Sequence, residues 1–149
     1  MKWITFCVED EDYCHQVSSV KEVLRYEEPV PVPGAPSFVA GIINVRGEVM
    51  VVLDTRVIMD LPPFEMSDAS RIICLELPEG NFGLLVDSVS EMIDFEDSQL
   101  DQGAQPTSSA GSTVMIKGTY KDEKGLKIAI DVDTFVANYI EERNAAMSV

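Results

Sequence analysis

The sequence predicts an all-β protein of two similar lobes, with short helices between strands and one helix at the C-terminus. Short apolar segments, many of them alternating with polar residues, follow one another with turn residues in between. This pattern is typical of half-buried strands. It occurs twice, because residues 4–24 align without a gap on residues 73–93, and residues 41–54 align on residues 118–131. Repeated patterning indicates repeated structure, so two equivalent lobes are expected.

The repeat provides an internal control for function. Glu22 aligns with Glu91 in the first pair of segments, and Asp54 aligns with Asp131 in the second pair. A residue that the fold requires is expected in both copies. A residue that occurs in one copy only is therefore a candidate for function.

Length and composition indicate one domain, residues 1–149, with lobe-forming repeats at about residues 3–60 and 72–138. The chain is 46% hydrophobic, which is ordinary for a globular protein and unlike a disordered one. The pattern leaves open whether each lobe keeps its own strands or exchanges some with the other lobe.

Charge and hydropathy exclude several partners. The net charge is −15, so the surface lacks the basic patch that nucleic acids and anionic membranes require. No apolar run approaches the ~20 residues of a membrane-spanning helix. The strand pattern at the N-terminus leaves no room for a signal peptide. We therefore expect a cytoplasmic protein with no nucleic-acid partner and no direct membrane insertion.

The first repeat begins with a hairpin. Residues 3–8 alternate between apolar side chains on one face and mixed ones on the other, as in a half-buried strand. An acidic turn at residues 9–12 reverses the chain, and residues 13–17 return along the inner face. Residues 20–24 form a further extended segment.

A proline-rich connection follows the first hairpin. Residues 27–36 contain four prolines, and proline lacks the backbone donor that a central strand requires, so this segment is expected on the surface. A short helical turn from Pro36 to Ala40 is then expected to end at Gly41, because glycine readily adopts the left-handed conformation that closes a helix.

The next segment predicts a second hairpin. The nearly continuous apolar run from Ile43 to Leu53 indicates strands that are buried on both faces, with a turn at residues 46–48. Asp54 follows directly and is expected to cap a short helix over residues 55–60.

The second repeat predicts the same order of elements. Its C-terminal helix has apolar residues at helical spacing and is expected to be capped by Asp133 or Thr134. A polar stretch rich in Gly, Ser and Thr predicts a mobile loop over residues 101–112. Strands that pair within each repeat would close two small barrels. The strands are placed at residues 71–77, 82–87, 89–93, 114–120 and 126–131, and the helix at residues 134–143.

The sequence offers no constellation of catalytic residues. It lacks phosphate-binding glycine loops, nucleophile elbows and zinc-protease motifs. His15 is the single histidine, and Leu84 takes its place in the second copy, so a histidine of the core or barrel rim is favoured over a general base. Cys7, Cys14 and Cys74 lack metal-ligand spacing. We therefore expect no enzymatic activity, no cofactor and no metal.

Arg46 is singled out by the internal control. It lies in a tight turn after a buried-strand pattern, in a chain with 11 basic residues. Glu123 takes the matching position in the second copy, so the fold does not require arginine there. An arginine raised on a tight turn is suited to an acidic or carbonyl-rich partner surface. The alternative is an ion pair with a nearby Asp or Glu of the same chain.

Several segments in the same order resemble the CheW family. FVAGIINVRGEVMVVLD, from Phe38 to Asp54, is similar to the family signature of a fixed Gly, an Asn-x-Arg-Gly turn and a closing Asp. Residues 17–25, 82–92 and 117–131 also resemble that family. The resemblance extends over essentially the whole chain, from Trp3 to about Ile140.

This resemblance implies a fold, a function and partners. CheW-like proteins have two lobes, each a five-stranded SH3-like β-barrel, and they have no enzymatic activity. They are adaptors that couple chemoreceptors, the methyl-accepting chemotaxis proteins, to the CheA histidine kinase, whose regulatory domain has the same fold. The helical hairpin at the cytoplasmic tip of the receptor docks in the groove between the lobes. Recruitment to receptor arrays at the inner membrane is expected to follow.

The resemblance also implies residues that bind receptor or kinase. Arg46 is among them, so it coincides with the residue that the repeat asymmetry singles out. Carried over one position at a time, the binding residues are Val20, Glu22, Gly41, Arg46, Gly47, Gly83 and Met92.

Other functions stay open at this point. One is a CheW-like adaptor of a non-flagellar chemosensory system that drives type IV pili or gliding. Another, from a different class, is a small ligand-binding barrel or enzyme, which would need a deep pocket with a buried polar cluster. Self-association is open as well, because a surface that pairs with a similar domain can also pair with a second copy.

Overall fold

The computed structural model describes residues 1–63, 65–102 and 115–147, which form ten short β-strands and two α-helices. The predicted all-β class with a C-terminal helix is confirmed. Most of the predicted loop over residues 101–112 lies outside the described residues. The strands are β1 (Lys2–Val8), β2 (Glu11–Gln16), β3 (Val20–Arg25), β4 (Val39–Val45), β5 (Glu48–Asp54), β6 (Arg71–Leu77), β7 (Gly80–Val86), β8 (Ser88–Asp94), β9 (Ile116–Asp122) and β10 (Gly125–Ile130). The helices are α1 (Thr55–Ile58) and α2 (Val132–Met147).

The two repeats form equivalent elements in the same order. Strands β1 to β5 correspond to β6 to β10. Lys2 and Arg71, which are equivalent in the alignment of the repeats, begin the first strand of each copy, and Val39 and Ile116 likewise begin the fourth. The structural equivalence predicted from the two aligned pairs of segments is therefore confirmed.

The ten strands form two five-stranded sheets, and each sheet takes strands from both repeats. The order is β8-β1-β2-β10-β9 in one sheet, which we call lobe 1, and β3-β6-β7-β5-β4 in the other, lobe 2. Replacing each strand by its repeat partner converts one order into the other, so the topology is pseudo-symmetric.

Each repeat divides between the lobes after its second strand, so strands three to five of one repeat share a sheet with strands one and two of the other. In β3, Val23 lies opposite Ile73 of β6, and in β8, Ile93 lies opposite Trp3 of β1. Strand pairing therefore crosses between the two repeats. Alternating side chains specify a half-buried strand, but they do not specify which sheet edge the strand joins.

The largest apolar cluster combines side chains from both lobes and from α2. Phe6 and Tyr13 of lobe 1 contribute to it, together with Leu53 and Leu84 of lobe 2 and Phe135 of α2. All five side chains are almost completely buried. Such burial is worth about 1.5–3 kcal/mol for each large apolar side chain. The lobes are therefore joined by a shared hydrophobic core.

Each lobe also encloses a smaller core of its own. In lobe 1, Phe95 stacks between Trp3 and Tyr120, with ring centroids 4.5 and 3.9 Å away. In lobe 2, the corresponding space is filled by Ile72 and Ile43 with other aliphatic side chains. Equivalent backbones thus accommodate an aromatic stack in one lobe and aliphatic packing in the other.

Both helices begin at an aspartate in the same place of the repeat. Asp54 Oδ1 accepts a hydrogen bond from the Arg56 amide at 3.0 Å, and Asp131 Oδ1 accepts one from the Thr134 amide at 3.2 Å. The prediction that Asp54 and its repeat partner Asp131 cap helices is confirmed, and α2 begins at Val132, so Asp131 and neither Asp133 nor Thr134 is its cap. Among the described residues no helix is long and apolar enough to cross a membrane.

The helical turn predicted between Pro36 and Ala40 is wrong, because β4 already begins at Val39. Gly41 therefore lies within a strand and does not close a helix. The proline-rich segment instead approaches this strand, where the Val30 and Ile42 amides donate hydrogen bonds to each other's carbonyls at 2.9 Å.

A charged network at the lobe junction centres on Arg56 of α1, whose side chain is 11% exposed. Its guanidinium pairs with Glu9, in the β1–β2 turn of lobe 1, and with Asp87, whose Oδ2 lies 2.6 Å from Nη2. Asp87 lies where the chain crosses from lobe 2 to lobe 1, between β7 and β8. Arg56 therefore fastens the two lobes together.

Arg56→Ala is expected to destabilise the protein by about 1–3 kcal/mol, because two neighbouring carboxylates, those of Glu9 and Asp87, lose their shared cation. Equilibrium unfolding in urea measures the change. Arg56→Lys keeps a positive charge without the two-sided contact and is expected to lose less. A wild-type unfolding curve for Arg56→Ala would contradict the assigned role.

Lobe 1 also contains a nearly buried ion pair where lobe 2 has apolar side chains. Lys127 Nζ lies 3.0 Å from Asp122 Oδ1, and the two side chains are 4% and 23% exposed. Asp122 Oδ1 also accepts the backbone amide of Lys124 at 2.9 Å, and Lys127 lowers the pKa of Asp122. Met50 and Val45 occupy the equivalent positions of lobe 2.

The two halves of this pair are expected to respond differently to substitution. Lys127→Met copies lobe 2 and leaves Asp122 partly exposed, so the stability change is expected to stay within about 1 kcal/mol of zero. Asp122→Ala leaves a buried ammonium without its carboxylate and is expected to cost about 2–4 kcal/mol. Urea unfolding compares the two variants, and equal losses would contradict the asymmetry between the two partners.

Candidate functional site

The seven binding residues implied by the resemblance occupy three environments. They combine exposed groups with groups that shape the backbone. They are the surface group Glu22, Arg46 and Gly47 at one end of lobe 2, the packed group Val20, Gly41 and Gly83 of the same lobe, and Met92 of lobe 1.

A two-residue turn between β4 and β5 presents Arg46. Val45 lies opposite Glu48, so Arg46 and Gly47 alone form the loop, with φ values of +50° and +86°. Positive φ at both positions matches the twist of a tight hairpin and favours glycine at the second. The Asn44 side chain accepts the Gly47 amide at 2.9 Å and holds the turn.

Arg46 forms an ion pair with Glu22 of β3. Glu22 lies on the edge strand β3 and the turn of Arg46 follows β4, the opposite edge strand, so the contact joins the two edges of the sheet. The guanidinium lowers the pKa of the Glu22 carboxyl, mainly through their hydrogen bond. The intramolecular pair considered as an alternative is therefore present, yet the Arg46 side chain stays 66% exposed. Arg46 is oriented by its partner and still accessible.

A mixed polar and apolar cavity of about 280 Å³ opens beside this pair. Val49 lies at its edge and is 63% exposed, although the apolar pattern predicted a strand buried on both faces. Cys74 also lines the cavity but is 4% exposed, and burial raises the pKa of its thiol to about 11. The thiol is therefore protonated at neutral pH, and this surface is suited to contact rather than to nucleophilic chemistry.

Val20 lies between the surface and the core. It is half-buried on β3 opposite Leu75 and packs against the shared core. Val89, its partner in the second repeat, packs against the same core. Because the valine recurs in both copies, the internal control assigns Val20 a structural role in the fold.

Gly41 and Gly83 are required by close packing. A Cβ atom at Gly41 would lie 2.4 Å from the Val30 carbonyl oxygen, and the φ of +150° also disfavours other residues. A Cβ at Gly83 would lie 2.7 Å from Cγ2 of Ile72. Substitution at either glycine displaces the strands of lobe 2, so any effect on binding would be transmitted through the backbone.

Met92 is the candidate that the structure separates from the others. It lies on β8 in lobe 1, opposite Ile4, and is 61% exposed. Val23, its partner in the first repeat, is also exposed and lies on β3 of lobe 2. The pseudo-symmetry therefore places these two exposed apolar residues in different lobes.

Lys124 is a surface residue that sequence reasoning missed. Its ammonium lies 2.7 and 2.9 Å from the carboxylate oxygens of Glu91, the repeat partner of Glu22. Glu123 stands at the position of Arg46, but the next residue of the turn supplies the cation. The alignment of the repeats places Lys124 opposite Gly47, and it therefore shows a cation one position after Glu123 in the second turn. Both lobes hold a cation against an equivalent glutamate, from different positions in the turn.

Of the remaining reactive side chains, His15 and Cys14 are buried and Cys7 is partly exposed. His15 is 3% exposed, as expected for a core histidine, and burial raises the pKa of the Cys14 thiol to about 12. In the ranges that the structure describes, no group of three or more His, Cys, Asp or Glu side chains is arranged to hold a metal ion.

Reversing the charge of Arg46 or Lys124 is expected to leave the fold intact. Both side chains are about two-thirds exposed, at 66% and 69%, and exposed ion pairs contribute little to stability. Arg46→Glu and Lys124→Glu are each expected to change the unfolding free energy by less than ~1 kcal/mol. Thermal melting of the two variants tests this. A large fall in the melting temperature of Arg46→Glu would show that Arg46 is a structural residue.

Comparisons with known proteins agree on one family. The CheW-like domain matches residues 2–138. The chain is 29% identical to the chemotaxis protein CheW of Bacillus subtilis over 147 residues, 99% of this chain and 90% of the relative. It is also 29% identical to the CheW of Rhizobium meliloti, covering 96% and 90%.

A solved structure shows the same fold. The scaffolding protein TtCheW from Thermoanaerobacter tengcongensis superposes with a TM-score of 0.79 at 28% identity, covering 90% of each chain. The family match spans nearly all of the sequence, and the two five-stranded sheets match the relative's architecture. The chain belongs to the CheW-like domain family.

Proposed function

We propose that this protein is a chemotaxis adaptor that couples chemoreceptors to the CheA histidine kinase. The observation that carries the proposal is the family match over residues 2–138, supported by relatives that are named chemotaxis proteins and by a structural relative that is a scaffolding protein. The pseudo-symmetric pair of lobes suits such a role, because it presents two similar but chemically distinct surfaces.

The adaptor acts by binding and not by catalysis. Its exposed features are ion pairs and single apolar side chains, whereas its histidine and two of its three cysteines are buried. Coupling in this scheme requires only that receptor and kinase contact the scaffold together. It takes place in the cytoplasm, where the adaptor joins receptor arrays at the inner membrane.

The receptor contact centres on Arg46. The guanidinium is held in place by Glu22 and lies beside the exposed Val49. An oriented arginine next to an apolar side chain is typical of residues that dominate a binding interface. The helical hairpin at the receptor's cytoplasmic tip offers carboxylates and helix-end carbonyls, which such an arginine can bind while the hairpin enters the groove between the lobes.

The kinase contact uses the family likeness between the adaptor and the CheA regulatory domain. Val49 on lobe 2 and Leu126 on lobe 1 are equivalent residues after the two hairpin turns, and they are 63% and 55% exposed. An apolar residue that recurs in both copies and stays exposed is not explained by the core. These lobe ends are suited to docking against a domain built in the same way.

Titration with a receptor cytoplasmic fragment tests the assignment. Arg46→Glu is expected to weaken receptor binding by about 30- to 1000-fold, because a central interface arginine contributes about 2–4 kcal/mol. Lys124→Glu reverses the equivalent ion pair of lobe 1 and is the matched control, expected to bind as the wild type does. Isothermal titration calorimetry gives both affinities.

The outcomes separate the function from the site. If the wild-type protein binds neither the receptor fragment nor CheA, the adaptor assignment is overturned. If it binds both and Arg46→Glu binds as tightly as Lys124→Glu, the adaptor function stands and the role of Arg46 is overturned.

A further inference from the structure

The C-terminal helix follows one lobe and packs against the other. α2 follows β10 of lobe 1, and its aromatic residues Phe135 and Tyr139 pack edge-on against Phe38, with ring centroids 5.1 and 5.0 Å away. Phe38 immediately precedes β4 of lobe 2, and its carbonyl accepts the Asp54 amide at 2.8 Å. The position of α2 therefore affects the packing between the lobes.

The first turn of α2 depends on a histidine of lobe 1. The Val132 amide begins α2 and cannot bond within the helix. Val132 is fully buried, so its amide requires another acceptor. Nε2 of His15 lies 3.2 Å from this amide, while Nδ1 lies 3.0 Å from the Gln16 carbonyl oxygen. Both contacts are made together only by a neutral imidazole with its proton on Nδ1.

Protonation of His15 reverses one of these contacts. The imidazolium carries an N–H on both nitrogens, so Nε2 would direct a donor at the Val132 donor. It would also place a positive charge at a helix N-terminus, where the helix dipole is already positive. We propose that His15 is a proton-sensitive latch that holds the C-terminal helix across the lobes when neutral and releases its first turn when protonated.

The groups around the imidazole shift its pKa in opposite directions. Burial is the largest effect and lowers the pKa of His15, and Lys117 of β9 lowers it further. The Gln16 carbonyl and the carboxylates of Asp131 and Asp133 raise it, and the net shift is downward. A small polar cavity of about 110 Å³, lined by these groups and by Ser19 and Ile130, lies over the ring.

The direction of the pH effect follows from this downward shift. The released histidine titrates near its ordinary pKa of about 6.5, and the latched histidine titrates at lower pH. The latch is therefore complete above about pH 6.5, weakens as the pH falls below that value, and is fully lost once the pH has fallen through the pKa of the latched histidine. Between the two pKa values, the equilibrium for release of the first turn shifts by up to tenfold per pH unit.

The internal control supports a role beyond folding. Leu84 of lobe 2 is the repeat partner of His15, and the helix that follows the last strand of that lobe's β4–β5 hairpin, α1, is short. The repeated fold does not require a histidine at this position. The titratable group occurs only in the copy that anchors the long helix.

Hydrogen exchange of the backbone amides on the full-length protein tests the latch. Protection factors of amides in the first turn of α2, corrected for intrinsic exchange, are compared with those of β6 and β7 at pH 7.5, 6.5 and 5.5. In the wild type, protection of the first turn is expected to fall by about tenfold relative to these strands. The ¹⁵N shifts of His15 are expected to show the Nδ1–H tautomer at pH 7.5.

Variants distinguish the latch from general acid sensitivity. The amide oxygen of His15→Gln can accept the Val132 amide and does not titrate, so its first-turn protection is expected to stay constant with pH. His15→Leu lacks the acceptor and is expected to show low protection at every pH. Asp133→Asn removes one carboxylate that favours the imidazolium, so it lowers the pKa of the latched histidine and is expected to extend the fall to lower pH.

Two results would overturn the proposal. One is constant first-turn protection in the wild type relative to β6 and β7. The other is an equal fall in His15→Gln, since this variant has no group at position 15 that titrates. Because His15→Gln keeps a polar acceptor, it tests the latch even if His15→Leu fails to fold.

Discussion

The division of each repeat between the two lobes is the constraint on which the rest of the structure depends. β3 pairs with β6 and β8 pairs with β1, so neither repeat can complete a five-stranded sheet alone. This division closes an apolar core that both lobes share, in which Phe6 and Leu84 are almost fully buried. The relative orientation of the lobes is therefore set by strand pairing and core packing, with Arg56 as an additional ionic contact.

A pseudo-symmetric framework allows equivalent positions to diverge in chemistry. Arg46 pairs with Glu22 on lobe 2, whereas Lys124 pairs with Glu91 on lobe 1. The backbone accepts either cation because both turns are short and exposed. The same holds in the interior, where aromatic stacking fills lobe 1 and aliphatic side chains fill lobe 2. The two lobes thus keep one architecture while presenting different surfaces to partners.

Only part of the candidate site could be predicted from sequence. Both repeat asymmetry and resemblance identify Arg46, because Glu123 takes its place in the second repeat and because its turn matches the family signature. The tight turn also leaves its side chain exposed. Resemblance alone cannot separate a residue that contacts a partner from one that shapes a strand. Gly41 and Gly83 belong to the second kind, as the close approach of Val30 and Ile72 shows. Lys124 was missed because its charge is offset by one position from its counterpart.

The sequence by itself determined the all-β class, the repeat and its equivalent strands, and the aspartate that begins α1. These features depend on periodicity and on neighbours within a few residues. Only the tertiary structure decided that each repeat divides between the lobes after its second strand, that Gly41 lies within a strand, and that His15 contacts Val132. Each of these depends on contacts between segments far apart in the chain, and local patterning carries no information about which distant partner is chosen.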